Sequence, residues 1–220
     1  MRRSLKFSLM VMLCAASTVA AQDVSALIAG DHDASVELAG IIRGAQLKGL
    51  PVEPILTKVR YAVNVVHAPP QRTIAAVKAM VARLEEARKA LAPAPTDLEI
   101  IAGQDALSAN VSSKTLREIR AASGTKPMAM SLGVLAQLVT DSIPEARAAR
   151  IVTNLIKHGA TDRQLMALGN DVNADVATGK QAALALDLRM NRLNAVLGIP
   201  VSATGDAAAS QPTTLQPKKP

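Results

Sequence analysis

The chain has 220 residues, of which 25 are Lys or Arg and 18 are Asp or Glu, so its formal net charge is +7. Phe7 and Tyr61 are the only aromatic residues, which disfavours proteins that stack bases or sugars on aromatic rings. Cys14 is the only cysteine, so an intramolecular disulfide is excluded. The core must therefore be built from Ala, Leu, Val, Ile and Met side chains, and we expect their burial alone to hold the fold together.

Residues 1–21 have the pattern of a cleavable signal peptide. Three basic residues precede an apolar segment over residues 7–16, which is too short to span a membrane. Small residues follow, and cleavage is expected after Ala20 or Ala21. The alternatives are a lipoprotein signal that uses Cys14 and an uncleaved N-terminal anchor. We therefore expect an exported protein, periplasmic or extracellular.

Removal of the signal peptide leaves 22 basic and 18 acidic residues, a net charge of +4. Two of the positive charges, Lys218 and Lys219, lie at the C-terminal end, so the folded part is only mildly basic. This balance argues against nucleic acid as a partner. Peripheral contact of Lys and Arg faces with a membrane surface is kept as an alternative.

Apolar residues at intervals of three and four predict about eight helices over residues 31–198. The first covers about residues 34–48, where Gly40 and Gly44 predict close helix packing in a soluble core. The next opens at Leu50-Pro51, with the proline at its first position. A long helix follows over residues 70–91, in which Glu85 and Lys89 are expected to pair. The last predicted helix covers residues 180–197, with Ala183, Leu186, Met190, Leu193 and Val196 facing inward.

A Ser or Thr followed three residues later by Glu or Gln predicts the first turn of a helix, because each side chain caps a backbone amide of the other. Ser112 alone predicts a further helix start. Three pairs fit the pattern: Thr96 and Glu99, Ser142 and Glu145, and Thr161 and Gln164.

The segment from Ser142 to Gly179 predicts a helix, a turn and a second helix, and weaker versions recur along the chain. Leu50-Pro51 and Ile143-Pro144 each open a helix that is followed by a small-residue turn and another helix. Neither helix of such a pair buries its apolar face alone, so the pairs must stack. We predict an all-α domain of antiparallel helical hairpins in a short α-solenoid, arranged as two related halves or as a run of degenerate hairpins. Residues 199–220 are rich in Pro, Ala, Ser and Thr, and this composition predicts a disordered tail.

Several of these turn and cap segments resemble a set of uncharacterised exported bacterial proteins with Ala-rich helical repeats. The resemblance covers most of the chain after the signal peptide and implies no activity. It is carried by residues 49–54, Ser131-Leu132-Gly133-Val134-Leu135, Ile143-Pro144 and His158-Gly159-Ala160.

Ser123 and Lys126 fit a Ser-x-x-Lys motif, in which a lysine can serve as general base for a serine nucleophile. The penicillin-binding family also has a Ser-x-Asn element and a Lys-Thr-Gly strand, and no Lys-Thr-Gly occurs in this sequence. The motif also lies in a loop that ends at Pro127. We therefore interpret it as a turn, with an envelope serine hydrolase as the alternative.

Oxygen ligands at Asp171, Asn173 and Asp175 have the spacing that opens a calcium loop. Val176 stands where the loop needs Gly, and Ala182 stands where an acidic residue should close the site. The segment also continues an apolar helix stripe, which predicts that both aspartates face solvent. We expect no calcium site.

The three histidines, His32, His67 and His158, are far apart in sequence and lie near predicted helix or turn ends. Turn and cap roles are expected for them, rather than metal binding. No catalytic, cofactor or metal residue is therefore predicted. We expect a non-enzymatic protein-interaction or structural scaffold of the cell envelope, which binds a protein partner through a groove or a charged face.

Overall fold

The regularly spaced aliphatic residues form nine α-helices and no strand within residues 31–199, the part of the chain that this computed structural model describes. The all-α prediction is confirmed. The predicted signal peptide and, apart from Ile199, the predicted tail lie outside the described residues. The helices are α1 His32–Leu47, α2 Glu53–Asn64, α3 Pro70–Ala90, α4 Asp97–Ser108, α5 Ser113–Ser123, α6 Ala129–Thr140, α7 Glu145–Lys157, α8 Asp162–Ala177 and α9 Ala182–Leu197.

Most of the predicted caps form. The hydroxyls of Thr96 and Thr161 each accept a hydrogen bond from the backbone amide three residues later. The side chain of that later residue, Glu99 or Gln164, accepts a hydrogen bond from the backbone amide of the threonine. Ser112 caps α5 by accepting from the amide of Thr115. The predicted capping box at Ser142 is wrong. Ser142 has φ +70°, and α7 begins at Glu145, whose carboxylate points to another helix instead.

Two other predictions in the first half of the chain are wrong. Helix α2 begins at Glu53, two residues after Pro51, and Pro54 supplies the proline of its first turn. Glu85 does not pair with Lys89 but forms an ion pair with Lys48, the residue that follows α1. A contact between helices has therefore replaced a contact within one helix.

Alternate helices pack against each other along the chain. Helix α3 contacts α1 and α5, α6 contacts α4 and α8, and α5 contacts α7. Consecutive helices also contact at α2–α3, α3–α4, α6–α7 and α8–α9. The odd-numbered helices from α1 to α7 thus form one layer, and α4, α6 and α8 form the other. This is the stacking of a helical-repeat fold.

The core consists of two clusters of buried aliphatic side chains that meet at α3. The first is formed mainly by α1, α2 and α3, which contributes Ile74, Val77 and Leu84. The second begins at Ala90 and Leu91 and extends to α9. Because α3 contributes to both clusters, its 21 residues join the two halves of the stack.

Helices α3 and α4 approach each other closely at Gly103, a residue for which the sequence analysis predicted no packing role. A Cβ atom added to Gly103 of α4 would lie 2.9 Å from Leu91 Cδ1 and 3.0 Å from the Cβ of Ala87. The predicted close packing at Gly40 and Gly44 is wrong, because a Cβ at either position meets no described atom within 4 Å. Helices α3 and α4 therefore depend on Gly103 for their separation.

Polar bridges tie alternate helices together, so the expectation that aliphatic burial alone holds the fold is wrong. Glu99, which is 4% exposed, caps α4 with one carboxylate oxygen and accepts from the amide of Met128, before α6, with the other. Asp141, after α6, accepts from the side chain of Asn173 in α8 at 3.0 Å. Each such bond fixes the register of one helix against the next in its layer.

Candidate interaction surface

The Ser-x-x-Lys motif is a turn. The amide of Lys126 donates to the carbonyl oxygen of Ser123 at 3.1 Å, which closes the end of α5. Ser123 is 5% exposed, and its hydroxyl has no hydrogen-bond partner among the described residues, whereas Lys126 is exposed. A substrate in solvent would therefore reach the hydroxyl only after local opening of the fold.

The two aspartates of the calcium-like segment lie within helix α8 and pair with cations. Asp171 is exposed, as predicted, and lies 3.0 Å from Arg189. The prediction that Asp175 faces solvent is wrong: it is 5% exposed and accepts from Lys180 Nζ at 2.6 Å and Arg189 Nε at 2.7 Å. The hydrogen bond from Arg189, and then the one from Lys180, hold the pKa of the Asp175 carboxyl well below its usual range. This network fastens α9 to α8.

The histidines lie at helix ends, as expected. His67 and His158 each place Nδ1 within 3.1 Å of the carbonyl oxygen four residues earlier, and His32 is the first residue of α1. Within residues 31–199, no three His, Cys, Asp or Glu side chains lie together as a metal site would require. No described helix is both long and apolar enough to cross a membrane.

An open groove of about 840 Å³ lies between α5 and α7, and we call it the α5–α7 groove. Alanine, hydroxyl and basic side chains of the two helices form most of its wall. It is lined by Ser112, Lys114, Thr115, Glu118, Ala121, Ala122, Glu145, Ala146, Arg147, Ala149, Arg150, Ile151, Thr153, Asn154 and Lys157.

Glu145 fixes one end of the groove. Its Oε1 atom accepts hydrogen bonds from the Thr115 hydroxyl at 2.6 Å, the Ser112 hydroxyl at 2.7 Å and the Ser112 amide at 2.8 Å. These bonds, that from Thr115 first, lower the pKa of the Glu145 carboxyl. The N-termini of α5 and α7 are thereby joined, so the two helices run side by side along the groove.

Alanine side chains make the floor of the groove low. Ala121 and Ala122 of α5 and Ala146 and Ala149 of α7 all line it. Larger side chains at these positions would fill the space between two packed helices, whose axes are typically about 8–10 Å apart. The floor is therefore an apolar surface that an incoming side chain or helix can contact.

The rim of the groove is positively charged. The lining has four basic residues and two acidic ones. The basic residues are Lys114, Arg147, Arg150 and Lys157. Lys114 lies 3.8 Å from Glu118, and Arg147 pairs with Asp187 of α9. Lys157 forms no ion pair in the described part of the chain. The excess of positive charge favours an anionic ligand.

The groove also contains a buried donor that lacks an acceptor. The side-chain nitrogen of Asn154 has no hydrogen-bond partner among residues 31–199 and is inaccessible to solvent in the free protein. A buried donor without an acceptor costs roughly 1–3 kcal/mol. An incoming acceptor that reached this nitrogen after a small side-chain rotation would recover part of that cost.

The sequence analysis named Ser112 and Glu145 only as cap residues, and missed the groove. One signal was present in the sequence. Ala146, Arg150 and Lys157 lie on one outer face of α7, at spacings of four and seven residues. That signal could not show which helix lies beside that face.

No protein-family model matches this chain, and neither a curated protein nor a solved structure matches it at a significant level. The resemblance to exported Ala-rich helical-repeat proteins therefore stays a prediction.

Proposed function

We propose that the protein is a non-enzymatic interaction or scaffold protein of the cell envelope, and that it binds a protein partner in the α5–α7 groove. The observation that carries this proposal is the groove itself, a cavity of about 840 Å³ with an alanine floor and a positively charged rim. Stacked helical repeats commonly use such extended concave surfaces to bind other proteins. The predicted signal peptide over residues 1–21 supports a location outside the cytoplasm.

The environment of Ser123 supports this proposal over an envelope serine hydrolase. A nucleophilic serine needs a base within hydrogen-bond reach and access to the substrate. The Ser123 hydroxyl is buried and has no hydrogen-bond partner in the described part of the chain, while Lys126 lies in solvent. A serine-reactive probe that labels the native protein, but not Ser123→Ala, would favour the hydrolase.

Site-specific photocrosslinking in cells tests the proposed function. A photoreactive amino acid at Ala146, an exposed residue of the groove, should capture a discrete partner band. The matched control is the same amino acid at Ala82, an exposed alanine in the middle of α3 that lies outside the groove. The same band from both positions, or no band from Ala146, would contradict the proposal.

A further inference from the structure

We infer that helices α3 and α5 dock the protein on a surface of anionic phospholipids. The contact is made by a set of unpaired cations that we call the α3–α5 face, which consists of Arg72, Arg83, Lys89 and Arg117. Arg83 is half-buried and the other three are exposed. None of the four lines the α5–α7 groove, so this contact is separate from the proposed binding of a protein partner.

Charge is divided unequally between the two layers of the stack. Helices α1, α3, α5 and α7 together carry 12 basic and six acidic residues, whereas α4, α6 and α8 carry one basic and six acidic residues. The excess is concentrated in α3 and α5, which have eight basic and three acidic residues between them. The mild net charge of the chain therefore conceals one strongly basic side.

Ion pairs within the protein do not neutralise this side. The four cations of the α3–α5 face have no side-chain hydrogen bond or ion pair among residues 31–199. Glu86 is the one carboxylate of the two helices that lacks an ion pair there, so the unpaired charge is +3. The other basic residues of α3 and α5 are engaged, in the ion pairs Lys78–Glu37, Lys114–Glu118 and Arg120–Glu99 and in a hydrogen bond from Arg88 to the carbonyl oxygen of Lys48.

The basic side has no large apolar side chain exposed on it. The exposed large hydrophobic residues of the described chain lie on α1, α2, α4, α8 and α9 or directly after α2, and none lies on α3 or α5. Interfaces between proteins draw most of their affinity from buried aromatic and other large anchors. A layer of anionic headgroups needs no such anchor, because it attracts Lys and Arg side chains by charge. The composition of this side therefore fits a lipid surface better than a protein.

The cations are spread too widely for one small anion. Arg72 and Lys89 are 17 residues apart in α3, which corresponds to about 25 Å along its axis. Arg117 lies on α5, which packs against α3, and the axes of packed helices are typically about 8–10 Å apart. A bilayer surface is wider than this whole area, and its lipids can move to meet each cation separately.

A second copy of the chain offers few carboxylates for the same contact. In the acidic layer, Glu99 and Asp175 are buried and bonded, and Asp171 pairs with Arg189. Three acidic residues of α4 and α8 are left without an ion pair in the described part of the chain, which are Asp97, Asp105 and Asp162. The anionic lipid surface is therefore the better match to the α3–α5 face.

Flotation with lipid vesicles tests the inference. The protein is purified after export, so that the signal peptide predicted over residues 1–21 does not itself bind lipid. It should float with vesicles of phosphatidylglycerol and phosphatidylcholine in equal parts, and not with phosphatidylcholine alone. Because the contact has no apolar anchor, binding should fall steeply as NaCl is raised from about 50 to 300 mM.

Neutral variants test which side of the protein makes the contact. Arg72→Gln combined with Arg117→Gln should weaken vesicle binding by about fivefold for each cation removed. Arg163→Gln is the matched control, because Arg163 is an exposed arginine without an ion pair in the described chain and lies on α8, in the other layer. Arg117→Lys keeps the charge and should bind like the unchanged protein, which separates a loss of charge from a loss of folding.

Equal binding to the two kinds of vesicle, or equal effects of the double variant and Arg163→Gln, would overturn the inference. Self-association in low salt that the double variant abolishes, together with no vesicle binding, would overturn it in favour of a contact between copies. If no vesicle binds but the crosslink from Ala146 persists, the proposed function stands and the lipid contact is wrong. Vesicle binding without that crosslink would support the lipid contact and contradict the proposed function.

Discussion

Gly103 permits the close contact between α3 and α4, and replacing it with alanine tests how tightly the solenoid is packed. The added methyl group would lie 2.9 Å from Leu91 Cδ1 and 3.0 Å from Ala87 Cβ, well inside van der Waals contact. Both neighbours are fully buried, so neither has free space into which to move. The helices must therefore separate or Leu91 must leave its preferred rotamer.

Two opposing effects determine the size of the change. Overpacking of a filled core costs typically about 1–3 kcal/mol. Alanine in place of glycine inside a helix stabilises it by roughly 1 kcal/mol. We expect Gly103→Ala to lower the free energy of unfolding by up to about 2 kcal/mol.

Gly133→Ala isolates the packing cost. Gly133 lies inside α6, is exposed, and has no described atom within 4 Å of an added Cβ. This variant should gain the helix propensity alone, so the two variants should differ by about 1–3 kcal/mol. Urea unfolding followed by circular dichroism at 222 nm measures the difference. A difference below about 0.5 kcal/mol would refute the close contact of α3 with α4.

Three further predictions concern buried polar groups. Asp175 titrates below the roughly 3.9 of an unfolded aspartate, so its stabilising effect is complete above about pH 4 and is lost as the pH falls further; urea unfolding between pH 5 and pH 2 should show a shallower loss of stability in Asp175→Asn, and equal slopes would contradict this. Ser123→Ala removes a buried hydroxyl that has no partner within residues 31–199, and should raise the free energy of unfolding by about 1 kcal/mol; a lower thermal midpoint would contradict this prediction. Glu99→Ala uncaps α4 and leaves the amide of Met128 without its acceptor, so the unfolding free energy should fall by at least about 1.5 kcal/mol; an unchanged urea midpoint would show that neither bond matters.

Residues whose environment is local were predictable from the sequence. Thr96 and Thr161 act as caps because their partners lie three residues away in the same turn. The inward faces also follow from helical spacing, as Val59 and Leu168 show. Two predictions for the last helix are wrong. Ala183 and Val196 were predicted to face inward but are exposed, because α9 is at the end of the stack and packs chiefly against α8.

The sequence alone therefore determined that the chain is helical, where most helices begin and which stripe of each is apolar, because these properties depend on residues within two turns of one another. The tertiary structure decided which helices lie side by side, and with them the partner of each charged residue. Glu145 shows the difference. Its spacing from Ser142 predicted a cap within one helix, but its carboxylate joins α7 to α5 across more than thirty residues of chain. The α5–α7 groove likewise arises only in the folded protein, because four alanines and four cations on separate helices become one surface when those helices stack.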